Sequence, residues 1–238
     1  MAQGLLICLL GIDGSGKSTQ AQRLVARLAS TGYAATYVWG GRRGVLTAPL
    51  VRRGKARLGA PAQPVESSAI ASPEYRAYVR GTRRLFSRSL LRGLWRQITL
   101  WEHLLEIWWY IGRPLAQGRV VVCDRYLYDS LVNHAILFGS LPAEIDRQLG
   151  NPLLSLVPRP ALGFWLDTPP EVALRRKTDI YDIQQLELRV PLYQRLATAL
   201  AFEPLDGTLP ADRLGDMIWL RVSQQPGCSR MPAVEHLW

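Results

Sequence analysis

Residues 11–19 read GIDGSGKST, a pattern whose chemistry is the capture of a polyphosphate. Gly11, Gly14 and Gly16 permit positive φ and close backbone approach, so successive amide N–H groups converge on one phosphate at a helix N-terminus that already carries partial positive charge. Lys17 then reaches the β- and γ-phosphates, Ser18 offers its hydroxyl to Mg²⁺, and Asp13, Ser15 and Thr19 complete the ATP-binding loop. The loop stands between an apolar run, Leu5 to Leu10, and a stretch of helical periodicity, which is the context this motif requires.

A second group, Asp124, Arg125 and Tyr126, follows directly on the apolar run Arg119 to Cys123. In open α/β sheets ligands bind beyond the carboxyl ends of the strands, so this triplet and the phosphate loop can face one crevice. A strand-end Asp suits Mg²⁺, directly or through water, and the planar fork of an adjacent Arg suits a second phosphate. Alone, the triplet reads equally well as an Asp capping the next helix with its Arg paired at the surface. A third group lies in LDTPPEVALRRK, residues 166–177, where Arg175 and Arg176 gather at the end of a helix opened by two prolines. One reading is a lid over ATP, at about 175–183, that brings a guanidinium to the transferring phosphoryl group. The other is a cation cluster favoured by the helix dipole.

These groups need a scaffold, and the chain supplies its pattern. Short apolar runs without polar alternation occur at Leu5 to Leu10, Ala34 to Trp39, Arg119 to Cys123, Ala161 to Leu166 and Ala201 to Leu205. Such runs are what a parallel sheet covered on both faces produces. Pro204 cannot donate to a ladder, which puts the last strand at an edge. Helices are expected over 18–30, 73–86, 90–112, 127–138, 142–150, 169–177, 183–201 and 210–222. Within the third of these, Trp101, Leu104, Leu105 and Trp108 form one stripe, suited to core or to a dimer seam. Two segments break the alternation. Residues 40–72 are rich in Arg and then in Ala, Pro and Ser, suggesting a mobile basic excursion, and residues 223–238 read as a weakly ordered tail.

With 238 residues, 48% hydrophobic, the chain is long and apolar enough for one substantial core, taken as a single domain over 1–222. Its net charge of +10 calls for anionic partners, a demand that phosphate substrates meet without nucleic acid. Cys8, Cys123 and Cys228 show no metal-ligand spacing and read as small hydrophobes of a reducing compartment. The N-terminal apolar run leads into the phosphate loop rather than a cleavage site, and the most apolar later segment, Leu100 to Ile111, is too short to span a bilayer. A cytoplasmic protein is expected, with no membrane partner.

Taken together, GIDGSGKST, VVCDRY, LDTPPEVALRRK and the late YQRLA and LDGTLPADRL resemble, in order and rough spacing, the thymidylate kinases among the nucleoside monophosphate kinases. The resemblance covers most of residues 4–222. It implies a three-layer α/β/α fold of the P-loop NTPase kind, with a five-stranded parallel sheet and a lid. It also implies phosphoryl transfer from ATP with Mg²⁺ to a nucleoside monophosphate, usually dTMP, and a possible homodimer. By the same resemblance Lys17 and Ser18 serve the ATP phosphates and the metal, Asp124 supports the metal, Arg125 holds the acceptor phosphate, and Tyr126 lies near the sugar. One subgroup of that family carries a phosphate-loop Arg at the position of Gly14, so this chain resembles the other, in which lid arginines, here Arg175 and Arg176, supply the charge.

The acceptor side departs from the family. An Arg-Glu-Pro-type segment is replaced by Trp39, Gly40, Gly41, Arg42 and Arg43, of which Arg42 and Arg43 are the acceptor candidates. Counting back from Asp124, the family's base-contacting Arg falls on His103 and its stacking aromatic near Thr99, while its Tyr-Gln pair corresponds to Asn133 and His134. Two alternatives stay open at this level: a kinase for another small-molecule acceptor, and a non-catalytic ATP-binding module.

Overall fold

The computed structural model describes residues 4–57, 89–138, 141–176 and 183–225, together with 81 and 84. Five strands form one parallel sheet: β1 (Leu5–Leu10), β2 (Ala35–Trp39), β3 (Val120–Asp124), β4 (Leu162–Asp167) and β5 (Glu203–Asp206). Their order is β2-β3-β1-β4-β5, with Cys8 level with Cys123 and Leu9 with Asp124. Each strand lies within two residues of its sequence expectation, and Pro204 sits in an edge strand.

Both faces of the sheet are apolar because side chains alternate across the pleat. Leu6, Cys8, Leu10, Val121, Cys123 and Trp165 enter one core cluster, while Ile7, Leu9, Val120, Val122, Phe164 and Leu166 enter the other. The second cluster is closed by α1 (Lys17–Ser30) and α9 (Ala211–Ser223), through Leu24, Leu28, Leu214 and Trp219. The first is closed by α3 (Ser89–Ile107), α5 (Leu127–Phe138) and α8 (Ile183–Ala199), through Leu104, Leu131 and Leu196. Each fully buried aliphatic side chain here is worth about 2 kcal/mol. The result is the three-layer α/β/α arrangement, with the carboxyl ends of β1, β3 and β4 opening on one edge.

Three local features differ from expectation. The beginning of the basic excursion is not loose: it forms a tight loop and then α2 (Ala48–Arg57). The helix through 112 is not uniform, because α3 passes into a π-turn at Trp108–Gly112 before α4 (Arg113–Ala116). There the N–H of Arg113 reaches Trp108 O, five residues back, just ahead of Pro114, which has no N–H for the regular ladder. The aromatic stripe also divides: Leu104 is 3% exposed, whereas Trp101 is 49% and Leu105 59% exposed. α6 (Leu141–Leu149), a 3₁₀ turn at Pro152–Leu156 and α7 (Pro170–Arg176) complete the chain. The expected helix over 73–86, apart from 81 and 84, lies outside the described residues, as do 58–72, the lid tip at 177–182 and the tail beyond 225.

Candidate active site

The phosphate loop leaves β1 at Gly11 and enters α1 at Lys17, with Gly14 at φ 85° and Gly16 at φ 92°. Gly14 is forced by its neighbour as well as by its backbone. A Cβ there would lie 2.3 Å from Ala173 O of α7, so that helix seals one side of the loop against any side chain at position 14. Lys17 is 4% exposed, and its Nζ donates to Ile12 O at 2.5 Å and Ser15 Oγ at 3.2 Å. Burial, then the nearby Arg125 charge, lower its pKa to about 8. Gly11 and Gly16 bound the loop, and Thr19 is exposed in the first turn of α1.

Opposite the loop, β3 delivers Asp124, which is 2% exposed. Its Oδ2 accepts from Ser18 Oγ at 2.5 Å and from the Tyr37 hydroxyl at 3.0 Å. Its Oδ1 is buried with no hydrogen-bond partner among the described residues. A carboxylate oxygen left so, beside a serine hydroxyl at the loop, suits a divalent cation. Among the described residues no three His, Cys, Asp or Glu side chains converge on one point, so phosphate and water oxygens would have to complete such a shell.

Arg125 adopts φ 69° at the strand end, with its N–H bonded to Leu9 O, and so turns its side chain toward the phosphate loop. There it pairs with Asp13, and with Asp129 at 2.5 Å one turn into α5. Burial opposes the guanidinium charge, but Asp129, Tyr193 and Asp13 outweigh it and push the Arg125 pKa up. Asp129 is itself held by the Tyr193 hydroxyl of α8 and by Asn133 Nδ2 at 3.3 Å. Lys17, Ser18, Asp13, Asp124 and Arg125 therefore share one crevice.

The other expected residues lie elsewhere. Tyr126 is fully buried, and its hydroxyl donates to Pro158 O at 2.7 Å. Its ring belongs to the core rather than to a sugar contact, because the turn at Arg125 sends the next side chain inward. His103 is 1% exposed, with Nε2 against Gly40 O at 3.0 Å and Nδ1 against Ser130 Oγ at 2.9 Å. Burial lowers its pKa to about 4, so it stands as a neutral brace between two elements, both ring nitrogens engaged. Arg42 pairs with buried Glu102 at 2.8 Å, and Arg43 lies over the Tyr110 ring at 3.8 Å. Arg175 and Arg176 end α7, and Arg176 donates to Gly207 O at 2.7 Å on the turn after β5.

The loop carrying Arg42 and Arg43 is fixed by two carboxylates one helical turn apart. Glu102 accepts from Leu46 N at 2.5 Å, Thr47 N at 2.9 Å and Thr47 Oγ1 at 2.7 Å, and Glu106 accepts from Arg43 N and Gly44 N. Sequence reasoning missed Tyr37, Glu102, Asp129 and Tyr193. Only Asp129 carried a readable signal, an acidic residue four positions after Arg125 in the first turn of the helix that follows; the rest meet the site through the fold.

A thymidylate kinase family model matches residues 98–189. The thymidylate kinase of Deinococcus radiodurans is 30% identical over 238 residues, covering 94% of this chain and 99% of that protein. A probable thymidylate kinase of Pyrococcus horikoshii is 31% identical over 174 residues, 73% of this chain and 70% of that protein. With the thymidylate kinase of a Synechococcus strain the match is closer, 38% over 105 residues, but spans only 48% of that relative.

Proposed function

Because the chain belongs to the thymidylate kinase family, we propose that it transfers the γ-phosphoryl group of ATP to the 5′-phosphate of dTMP, giving ADP and dTDP. The observation that carries this reading is the pairing of Arg125 with Asp13. It sets a second phosphate-binding group at the mouth of the loop that holds the first.

On this reading the backbone amides from Gly11 to Thr19 and the Lys17 ammonium hold the ATP phosphates, and Arg125 grips the acceptor phosphate with the N–H groups its carboxylates leave over. An oxygen of that phosphate attacks the γ-phosphorus in line as the bond to the ADP oxygen breaks. The protein contributes position and charge rather than a covalent intermediate. Arg175 and Arg176 supply positive charge to the transferring group. Ser18 and the open Oδ1 of Asp124 fit Mg²⁺, which supplies charge neutralisation of the β- and γ-phosphates when bound. Arg42, Arg43 and His103 act on the acceptor side by fixing its wall.

The same reading takes residues 1–222 as one kinase domain working in the cytoplasm, and among the described residues no helix is long and apolar enough to cross a membrane. It also takes the molecule as a homodimer. The exposed side chains of Leu94, Ile98, Trp101 and Leu105 on α3, with Leu46 and Leu50 beside them, form an apolar face that a second copy would cover. Trp101→Arg should then halve the mass seen by light scattering; a monomeric wild-type chain would remove the dimer. Catalysis is tested by ADP release with ATP, Mg²⁺ and a panel of nucleoside monophosphates and sugar phosphates. Acceleration by dTMP above the rest is expected, and no acceleration by dTMP would refute the assignment.

A further inference from the structure

A pocket of leucine side chains and a few polar groups lies alongside α5, the helix that begins two residues after Arg125. Leu127, Ser130, Leu131 and His134, one face of that helix, line it together with Thr99 and His103 of α3 and Gln148 of α6. Ser130 and His134 stand three and seven residues along α5 from Leu127, roughly 5–11 Å down its axis. A nucleoside monophosphate whose phosphate is held at Arg125 can lay its base along this helix.

The polar groups of the wall are unequally satisfied. His103 is saturated between Gly40 and Ser130. Thr99 Oγ1 donates to Trp95 O at 2.9 Å and meets His134 Nε2 at 3.4 Å. Gln148 is different. It is 4% exposed, His134 Nδ1 meets its Oε1 at 3.4 Å, and its Nε2 has no hydrogen-bond partner among the described residues. A buried amide with an unmet donor costs free energy unless something outside the chain satisfies it. The pocket's free interior is about 10 Å³, room for one water. A base therefore enters only as the lining side chains shift outward, a common adjustment on binding.

We infer that Gln148 is a specificity-determining residue for the acceptor, its Nε2 donating to the 4-carbonyl oxygen of a 2,4-dioxopyrimidine base. This rests on the kinase reading above and deepens it. A carbonyl presents the acceptor that the amide lacks, whereas the amino group of cytosine at the same ring position presents a second donor and leaves Gln148 unmet. The role falls to a helix outside the motifs, opposite the positions where the family's base contacts were sought.

The test compares steady-state kinetics of the wild type, Gln148→Leu and Gln148→Glu on dTMP and dCMP. Both variants should raise the KM for dTMP about tenfold or more, leave the KM for ATP unchanged, and narrow the preference over dCMP, with Gln148→Glu narrowing it most. Should the variants fail to fold, the wild type is assayed on dTMP analogues in which each ring carbonyl oxygen in turn is replaced by hydrogen. Replacing the 4-oxygen should reproduce the KM increase, and replacing the 2-oxygen should not. An unmoved dTMP KM and base ranking, or equal tolerance of both analogues, overturns the inference, leaving Gln148 as a wall that holds a water. Absence of wild-type dTMP turnover overturns the kinase reading and this inference with it, so the two failures are distinct.

Discussion

Gly14→Ala offers a sharp test of how α7 and the phosphate loop are built together. Two penalties add at this position. A Cβ at φ 85° costs about 1–2 kcal/mol of backbone strain. The same Cβ would sit 2.3 Å from Ala173 O, so α7 must shift, and overpacking of this kind costs about 1–3 kcal/mol more. Gly16→Ala is the internal control, because Gly16 has φ 92° but nothing within 4 Å of its Cβ. At about 2–4 °C per kcal/mol for a chain of this size, Gly14→Ala should lower the Tm by roughly 5–15 °C and Gly16→Ala by about half of that. Thermal unfolding without ligands, followed by circular dichroism, separates the two. The shift of α7 would also carry Arg175 and Arg176 away from the loop, so kcat should fall further than stability alone explains. Equal Tm losses in the two variants would refute the claim that α7 seals the loop.

Other outcomes follow from the same geometry. Lys17 has its pKa lowered to about 8, so the ligand-free chain loses that proton well before the unfolded chain does at about 10.5. The unfolded state then binds more protons across that window, and the Lys17 contribution to stability should rise with pH between about 8 and 10.5. ATP affinity should fall over the same range, and Lys17→Ala should abolish transfer and flatten both profiles; a pH-independent wild-type affinity would speak against a buried Lys17. Glu102→Ala strands the donors of Arg42, Leu46 and Thr47 and should cost about 3 kcal/mol in urea unfolding, with the acceptor KM raised and ATP binding retained. Arg175→Ala combined with Arg176→Ala should lower kcat by about 10³ or more while ATP still binds by calorimetry. Normal turnover in that variant would remove both arginines from the transfer step.

The parts of the fold that were legible in the chain are those whose signal is local. The phosphate loop announces itself through glycine spacing, and the five strands through apolar runs that a doubly covered sheet requires. Even the placement of β5 at an edge followed from one proline. What escaped notice is held by distant partners. The loop over residues 40–47 reads as mobile because its basic composition hides the two carboxylates, more than fifty positions later, that fix it. α2 was concealed by Gly54 and its run of cations. Tyr126 and His103 hold motif positions yet are buried, since the turn at Arg125 and the packing of α3 decide side-chain direction, which spacing does not encode. Arg125 itself was legible, but not the Asp129 and Tyr193 that aim it.

The central claim is that one crevice gathers two anionic ligands end to end, and a bisubstrate compound joining adenosine to thymidine through a phosphate chain tests it most directly. Calorimetric titration of the wild type, Lys17→Ala and Arg125→Ala should show tight binding of that compound by the wild type and a clear loss in both variants. dTMP alone should weaken only with Arg125→Ala. If the compound binds no better than ATP by itself, or if removing Arg125 leaves its affinity untouched, the two phosphate sites do not meet and the account is contradicted.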